Sequence, residues 1–71
     1  MLKFRISISK ENGEYVFVRI EEFRNGSYHL LYLFEVTSQM ASEMLVYERE
    51  KASQGVYKLV IDDKREKFMM C

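Results

Sequence analysis

Proline and tryptophan are absent from these 71 residues, cysteine and histidine occur once each, and glycine three times. Each shortage excludes something. The lone thiol, Cys71, can close no internal disulfide, and one histidine beside one cysteine offers no tetrahedral zinc set. With no proline and so little glycine, there is no flexible linker or low-complexity tract. Net charge is missing too, since 11 Lys and Arg balance 11 Asp and Glu. General nucleic-acid binders and membrane-surface binders usually carry a basic excess, so neither class is favoured. Long hydrophobic runs are also lacking. Met1-Leu2-Lys3-Phe4-Arg5 alternates charge with bulk, unlike the apolar stretch of a signal peptide, and no segment reaches transmembrane length. Together with a free thiol, these features lead us to expect a cytoplasmic protein with no membrane partner.

What is present is apolar. Hydrophobic residues make up 48% of the chain and aromatics 14%, too much for a disordered segment. One compact domain spanning residues 1–71 is expected. A domain of this size buries only about 60% of the surface its unfolded chain exposes. Lacking disulfide and metal, it has oligomerisation as the remaining common source of stability.

The first half of the chain alternates with period two. Leu2 to Ser9 alternates apolar and polar strictly, as a strand with one buried face does. Tyr15–Phe23 and Ser27–Val36 are rich in aromatic and β-branched residues, and Asn12-Gly13 and Asn25-Gly26 separate the three segments. Two hairpins follow. Three-residue loops, Glu11-Asn12-Gly13 and Arg24-Asn25-Gly26, would place glycine at a left-handed bulge position. The first would set Ile8 opposite Val16, Ile6 opposite Val18 and Phe4 opposite Ile20. The second would set Ile20 opposite Leu30, Val18 opposite Tyr32 and Val16 opposite Phe34. One face of the sheet then reads as a core.

After Val36 the period changes. Thr37 or Ser38 can cap a helix, on which Met40, Ala41, Met44 and Tyr47 recur as an apolar stripe, with Lys51 alongside and Gly55 as the stop. Val56–Ile61 alternates as a further strand, and Asp62-Asp63-Lys64-Arg65 reads as a charged turn. Residues 67–71 either return as a short fifth strand or fray. The expected fold is α+β: an antiparallel sheet, βββα then one or two strands, with a single helix packed on one face.

Nothing in the pattern points to catalysis. There is no Ser-His-acid set, metal-ligand spacing, phosphate-binding glycine loop or nucleotide fingerprint. His29 reads as an ordinary strand residue near a sheet edge, and the carboxylates as solvated surface charge. A non-enzymatic protein without cofactor or metal is expected.

The second sheet face is the informative one. It is expected to carry Tyr15, Phe17, Arg19, Leu31 and Leu33 as an apolar patch rimmed by charge, which a single helix on the opposite face leaves open. The chain's own C-terminal strands could cover the patch. It could instead bind a protein partner, most simply a second copy as a homodimer. Or it could bind nucleic acid, with Tyr15 and Phe17 stacking on bases and Lys3, Arg5 and Arg19 holding phosphates. Leu31 and Leu33 offer bases nothing to stack on, Glu21 and Glu35 repel phosphate, and net charge is zero. Protein binding therefore ranks first and nucleic-acid binding second. Chains this short, without targeting signal or catalytic set, are typical of accessory proteins of phages and other mobile elements, which act as inhibitors or adaptors of a host protein.

Overall fold

The structure is a computed structural model that describes residues 2–65. Its elements are β1 (Leu2–Ile8), β2 (Tyr15–Arg24), β3 (Ser27–Thr37), α1 (Ser38–Ser53) and β4 (Tyr57–Asp63). The expected βββαβ order and the single helix on one sheet face are both present; the segment expected as a fifth strand lies outside the described residues. Among the described residues, no helix is long and apolar enough to cross a membrane.

The four strands form one sheet in the order β3-β2-β1-β4. Both hairpins are antiparallel, but β4 pairs with β1 in parallel, so the sheet is mixed rather than wholly antiparallel. Chain direction explains this. Two hairpins reverse the chain twice, so β3 runs with β1. The 16-residue helix then carries the chain back about 24 Å at 1.5 Å per residue, and β4 starts from the same end as β1.

Both hairpins depart from the expected register. In the first, Ile6 pairs with Ile20 and Ile8 with Val18, while Phe4 meets Glu22. The tight turn is not Glu11-Asn12-Gly13 but Gly13-Glu14, closed by Asn12 N–H donating to Tyr15 O (2.9 Å) and Tyr15 N–H donating to Asn12 O (3.2 Å). Gly13 takes φ 66°, where a side chain would be strained. Farther along, Ser9 N–H donates to Phe17 O at 3.0 Å. Lys10 and Glu11 thus span the interval that Val16 alone spans opposite them, as in a β-bulge. In the second hairpin, the loop is Asn25-Gly26 alone, both at positive φ (52° and 84°) as a two-residue type I′ turn requires.

The second hairpin also contains a bulge. Ile20 pairs with Tyr32 but Glu21 pairs with Leu30, which leaves Leu31 as the extra residue on β3. Beyond it, Val18 meets Phe34 and Val16 meets Val36. The first hairpin, and the second on the far side of the bulge from its turn, are displaced by two residues from expectation. Because strand side chains alternate with period two, the core face there is kept. Between the bulge and the turn the displacement is one residue, so Leu30, expected in the core, stands on the other face.

The core comprises Ile6, Ile8, Val16, Val18, Ala41 and Leu45, with Ile20, Phe34, Val36, Met44, Leu59 and Ile61 packed against it. On α1 the buried stripe is Ala41 and Leu45, flanked by half-buried Met44 and Glu48; Met40 and Tyr47, expected inside, are exposed. Thr37 is the cap, its Oγ1 accepting from Met40 N–H at 3.1 Å.

The C-terminal charged segment is not a solvated turn. Asp62 and Asp63 belong to β4, where they pair with Ser7 and Ile8. Arg65 is buried against the helix: Nη1 donates to Ser38 O (2.8 Å) and Ser42 Oγ (2.6 Å), and Nε donates to Asp63 Oδ1 (2.9 Å).

Candidate functional site

With α1 on one side, the opposite sheet face and the two edge strands carry the surface available for recognition. Phe17, Arg19 and Leu33 lie together on the outer face, where with Ser7, Lys10 and Lys64 they line a shallow groove of about 290 Å³. Leu33 pairs directly with Arg19, and Phe17 with Glu35. Tyr15, also exposed, stands at the end of β2 opposite Thr37.

Leu31 is separated from this group. As the extra residue of the bulge it turns toward the helix side and lines a different cleft, about 230 Å³, with Phe4, Ile20, Tyr32, Lys51 and Tyr57. The structure therefore brings together three of the five residues expected to form the patch, leaves Tyr15 at its end, and moves Leu31 to the other side.

The bulge has a second effect. Past it the parity of β3 is reversed, so Tyr28 and Leu30 join Glu21 and Phe23 on the outer face. There the expected phosphate-holding cations are already engaged. Arg5 Nε donates to Glu21 Oε1 at 2.9 Å and its guanidinium lies 4.0 Å from the centre of the Tyr28 ring. Arg19 is 3.8 Å from the other Glu21 oxygen, and Lys3 Nζ is 5.0 Å from the Phe23 ring centre. Phe23 and Tyr28 meet edge to face at 5.1 Å. The hydrogen bond from Arg5 holds the buried Glu21 carboxyl below its ordinary range, against the opposing effect of burial. Sequence reasoning missed Tyr28 because its placement depends on the bulge in β3; Phe23 follows from plain alternation along β2, two residues beyond Glu21.

Two further groups complete the surface. His29 is exposed near the β2–β3 turn, with Nε2 3.2 Å from Arg24 O; the tautomer protonated there donates that bond. Tyr57, under the C-terminal half of α1, donates its hydroxyl proton to the Glu48 carboxylate and meets Phe4 edge to face at 5.3 Å. Burial, reinforced by that bond, pushes the Tyr57 phenol up to about 12.

The most apolar exposed stretch is on the edge strand β3. Four consecutive side chains are open to solvent: Leu30 (49%), Leu31 (41%), Tyr32 (62%) and Leu33 (55%). The signal was in the sequence, since Leu30 to Phe34 is an uninterrupted apolar run where a half-buried strand should alternate. Among the described residues, no group of three or more His, Cys, Asp or Glu could hold a metal ion. Comparison with protein-family models, with curated proteins and with solved structures finds no match to this chain.

Proposed function

We propose that this chain is a small cytoplasmic, non-enzymatic interaction module that binds protein, in the first instance a second copy of itself through β3 and the adjoining outer face. The observation that carries this reading is the run Leu30–Leu33, exposed on a strand whose far edge pairs with no other strand among the described residues. Protein edge strands are usually blunted by lysine, proline, short length or a bulge. β3 has 11 residues and contains no Lys, Arg or Pro; of those devices only the bulge at Leu31 is present. Homotypic pairing would bury the same apolar run twice across a two-fold axis. An unstapled core built around six buried side chains gains most from such burial. A role as inhibitor or adaptor of a host protein is compatible with this mode of binding.

Nucleic-acid binding ranks lower for a specific reason: Glu21 neutralises Arg5 and Arg19 on the face where phosphates would lie. Sedimentation tests the proposal. The wild type should associate at micromolar concentration or tighter, and Leu33→Glu should yield monomer because it places a charge in the contact. A wild type that remains monomeric throughout its soluble range would sink the self-association. Submicromolar, salt-sensitive oligonucleotide binding abolished by Phe17→Ala would favour nucleic acid instead.

A further inference from the structure

The opposite edge of the sheet points to a different ligand. We propose that the outer edge of β4, with which no strand among the described residues pairs, is a docking groove for an extended, acidic segment of a partner protein, which adds to the sheet as a further strand. The proposal shares with the preceding section only the premise that the chain binds protein; it does not require self-association.

The groove, about 700 Å³, runs alongside β4 between that strand and the C-terminal half of α1. Its floor is Ala52, Leu59 and Ile61. Among the described residues its charged members are Lys3, Arg49 and Lys58, with no acidic side chain in the lining. In a chain of zero net charge this is a local excess of one sign. Among the described residues, neither Arg49 nor Lys58 forms an ion pair, and Lys3 engages the face of Phe23.

The backbone supplies the other half of the argument. Lys64 N–H donates to Ile8 O at 2.9 Å, and Ile8 pairs with Asp63. In a parallel ladder successive residues direct their polar groups to opposite edges, so Lys58, Val60 and Asp62 bond toward β1. The N–H and C=O groups of Leu59 and Ile61 therefore point away from β1 into the groove. A row of unpaired donors and acceptors beside an apolar floor is the arrangement that strand addition uses.

Charge placement specifies the sequence of the guest. Lys3 and Lys58 are partners across β1 and β4 on the outer face, whereas Arg49 comes from the helix side. An added strand projects alternate side chains to the two faces. Adjacent acidic residues would thus meet cations on both sides, which an alternating acidic pattern would not. A polynucleotide fits less well, because it cannot satisfy the strand's backbone groups and finds no exposed aromatic ring in the groove; Tyr57 is buried.

The test uses the described protein and a blocked synthetic hexapeptide of valine flanking two adjacent glutamates, with glutamine and lysine versions as controls. Binding is followed by NMR together with amide hydrogen exchange. The glutamate peptide should bind at least tenfold more tightly than the glutamine one. It should slow exchange at the amides of Leu59 and Ile61, while those of Lys58 and Val60 are slow throughout. Arg49→Glu with Lys58→Glu, both at exposed positions, should transfer the preference to the lysine peptide. Absence of binding at millimolar peptide, binding without protection at Leu59 and Ile61, or tighter binding of an oligothymidylate of equal charge would each overturn the proposal. The self-association of β3 would be untouched by any of these results.

Discussion

Arg65 and Ser42 are 23 positions apart in sequence, yet the Arg65 guanidinium donates to the Ser42 hydroxyl at 2.6 Å and so ties the end of β4 to the first turns of α1. The same nitrogen reaches Ser38 O, and Asp63 supplies the counter-charge from two residues away. The Arg65 side chain is 1% exposed. A buried charge of this kind is tolerated only because its donors are met, and the polarity of the link matters as much as its charge.

Replacing Arg65 by alanine should cost about 3–5 kcal/mol, because it removes the guanidinium of a buried ion pair with Asp63 together with its bonds to Ser38 and Ser42. Lysine should recover only part of the loss, since an ammonium cannot reproduce the guanidinium's several directed donors. Urea unfolding followed by circular dichroism measures both. A loss under about 1 kcal/mol for Arg65→Ala would show that the link contributes little beyond a surface pair.

The helix stripe is tested by a contrast. Leu45→Ala should cost about 2–5 kcal/mol, as removal of a buried leucine does. Tyr47→Ala, on the exposed side of α1, should stay within about 0.5 kcal/mol. The reverse ranking would mean that the helix is rotated to the Met40–Tyr47 face.

That contrast marks where the sequence was readable and where it was not. Alternation in Leu2–Ile8 and in β2 identified the core face, and outside the segment between the bulge and the Asn25-Gly26 turn it survived a two-residue error in register, because a shift of two returns a side chain to the same side. The position of a turn within Glu11–Glu14 is decided by competition among several low-cost closures, so Gly13-Glu14 could not be distinguished from Glu11-Asn12-Gly13 by composition. The bulge at Leu31 has no signature beyond the broken alternation of Leu30–Phe34. It alone redistributes the patch, moving Leu31 away and bringing Tyr28 beside Arg5. On α1 the expected stripe shares Ala41 with the buried one but not Leu45, because only the sheet beneath decides which of several apolar spacings is buried. Asp62–Arg65 was misread because charge normally marks solvent; the pairing of Arg65 is a tertiary fact that local sequence does not carry.

Acid should weaken the fold partly through Glu21. Its hydrogen bond from Arg5 lowers the folded-state carboxyl below the ordinary 4.5. The stabilisation is therefore complete above about pH 4.5 and is lost as pH falls through the lower, folded value. Glu21→Gln should lower stability at neutral pH and flatten its decline below pH 4.5. A variant whose acid unfolding profile superimposes on that of the wild type would mean that the pair is screened to insignificance.

Alkali should act through Tyr57, in the opposite sense. Burial raises its phenol from 10.0 to about 12, and the bond to Glu48 adds to the effect. A raised folded value means that the folded state holds the proton more tightly than the unfolded chain. The stabilisation is then present in full below pH 10 and disappears as pH rises from 10 toward 12. Unfolding free energy measured in urea at a series of pH values should accordingly fall across that window, with the loss of helix signal following the appearance of tyrosinate absorbance for one phenol. Tyr57→Phe keeps the ring against Phe4 but removes the ionisable proton and leaves the Glu48 carboxylate without its donor. It should lower stability at neutral pH and make the decline between pH 10 and 12 shallower than in the wild type. Titration of all tyrosines near pH 10, with no stability change confined to the wild type, would contradict the burial of this hydroxyl beneath α1.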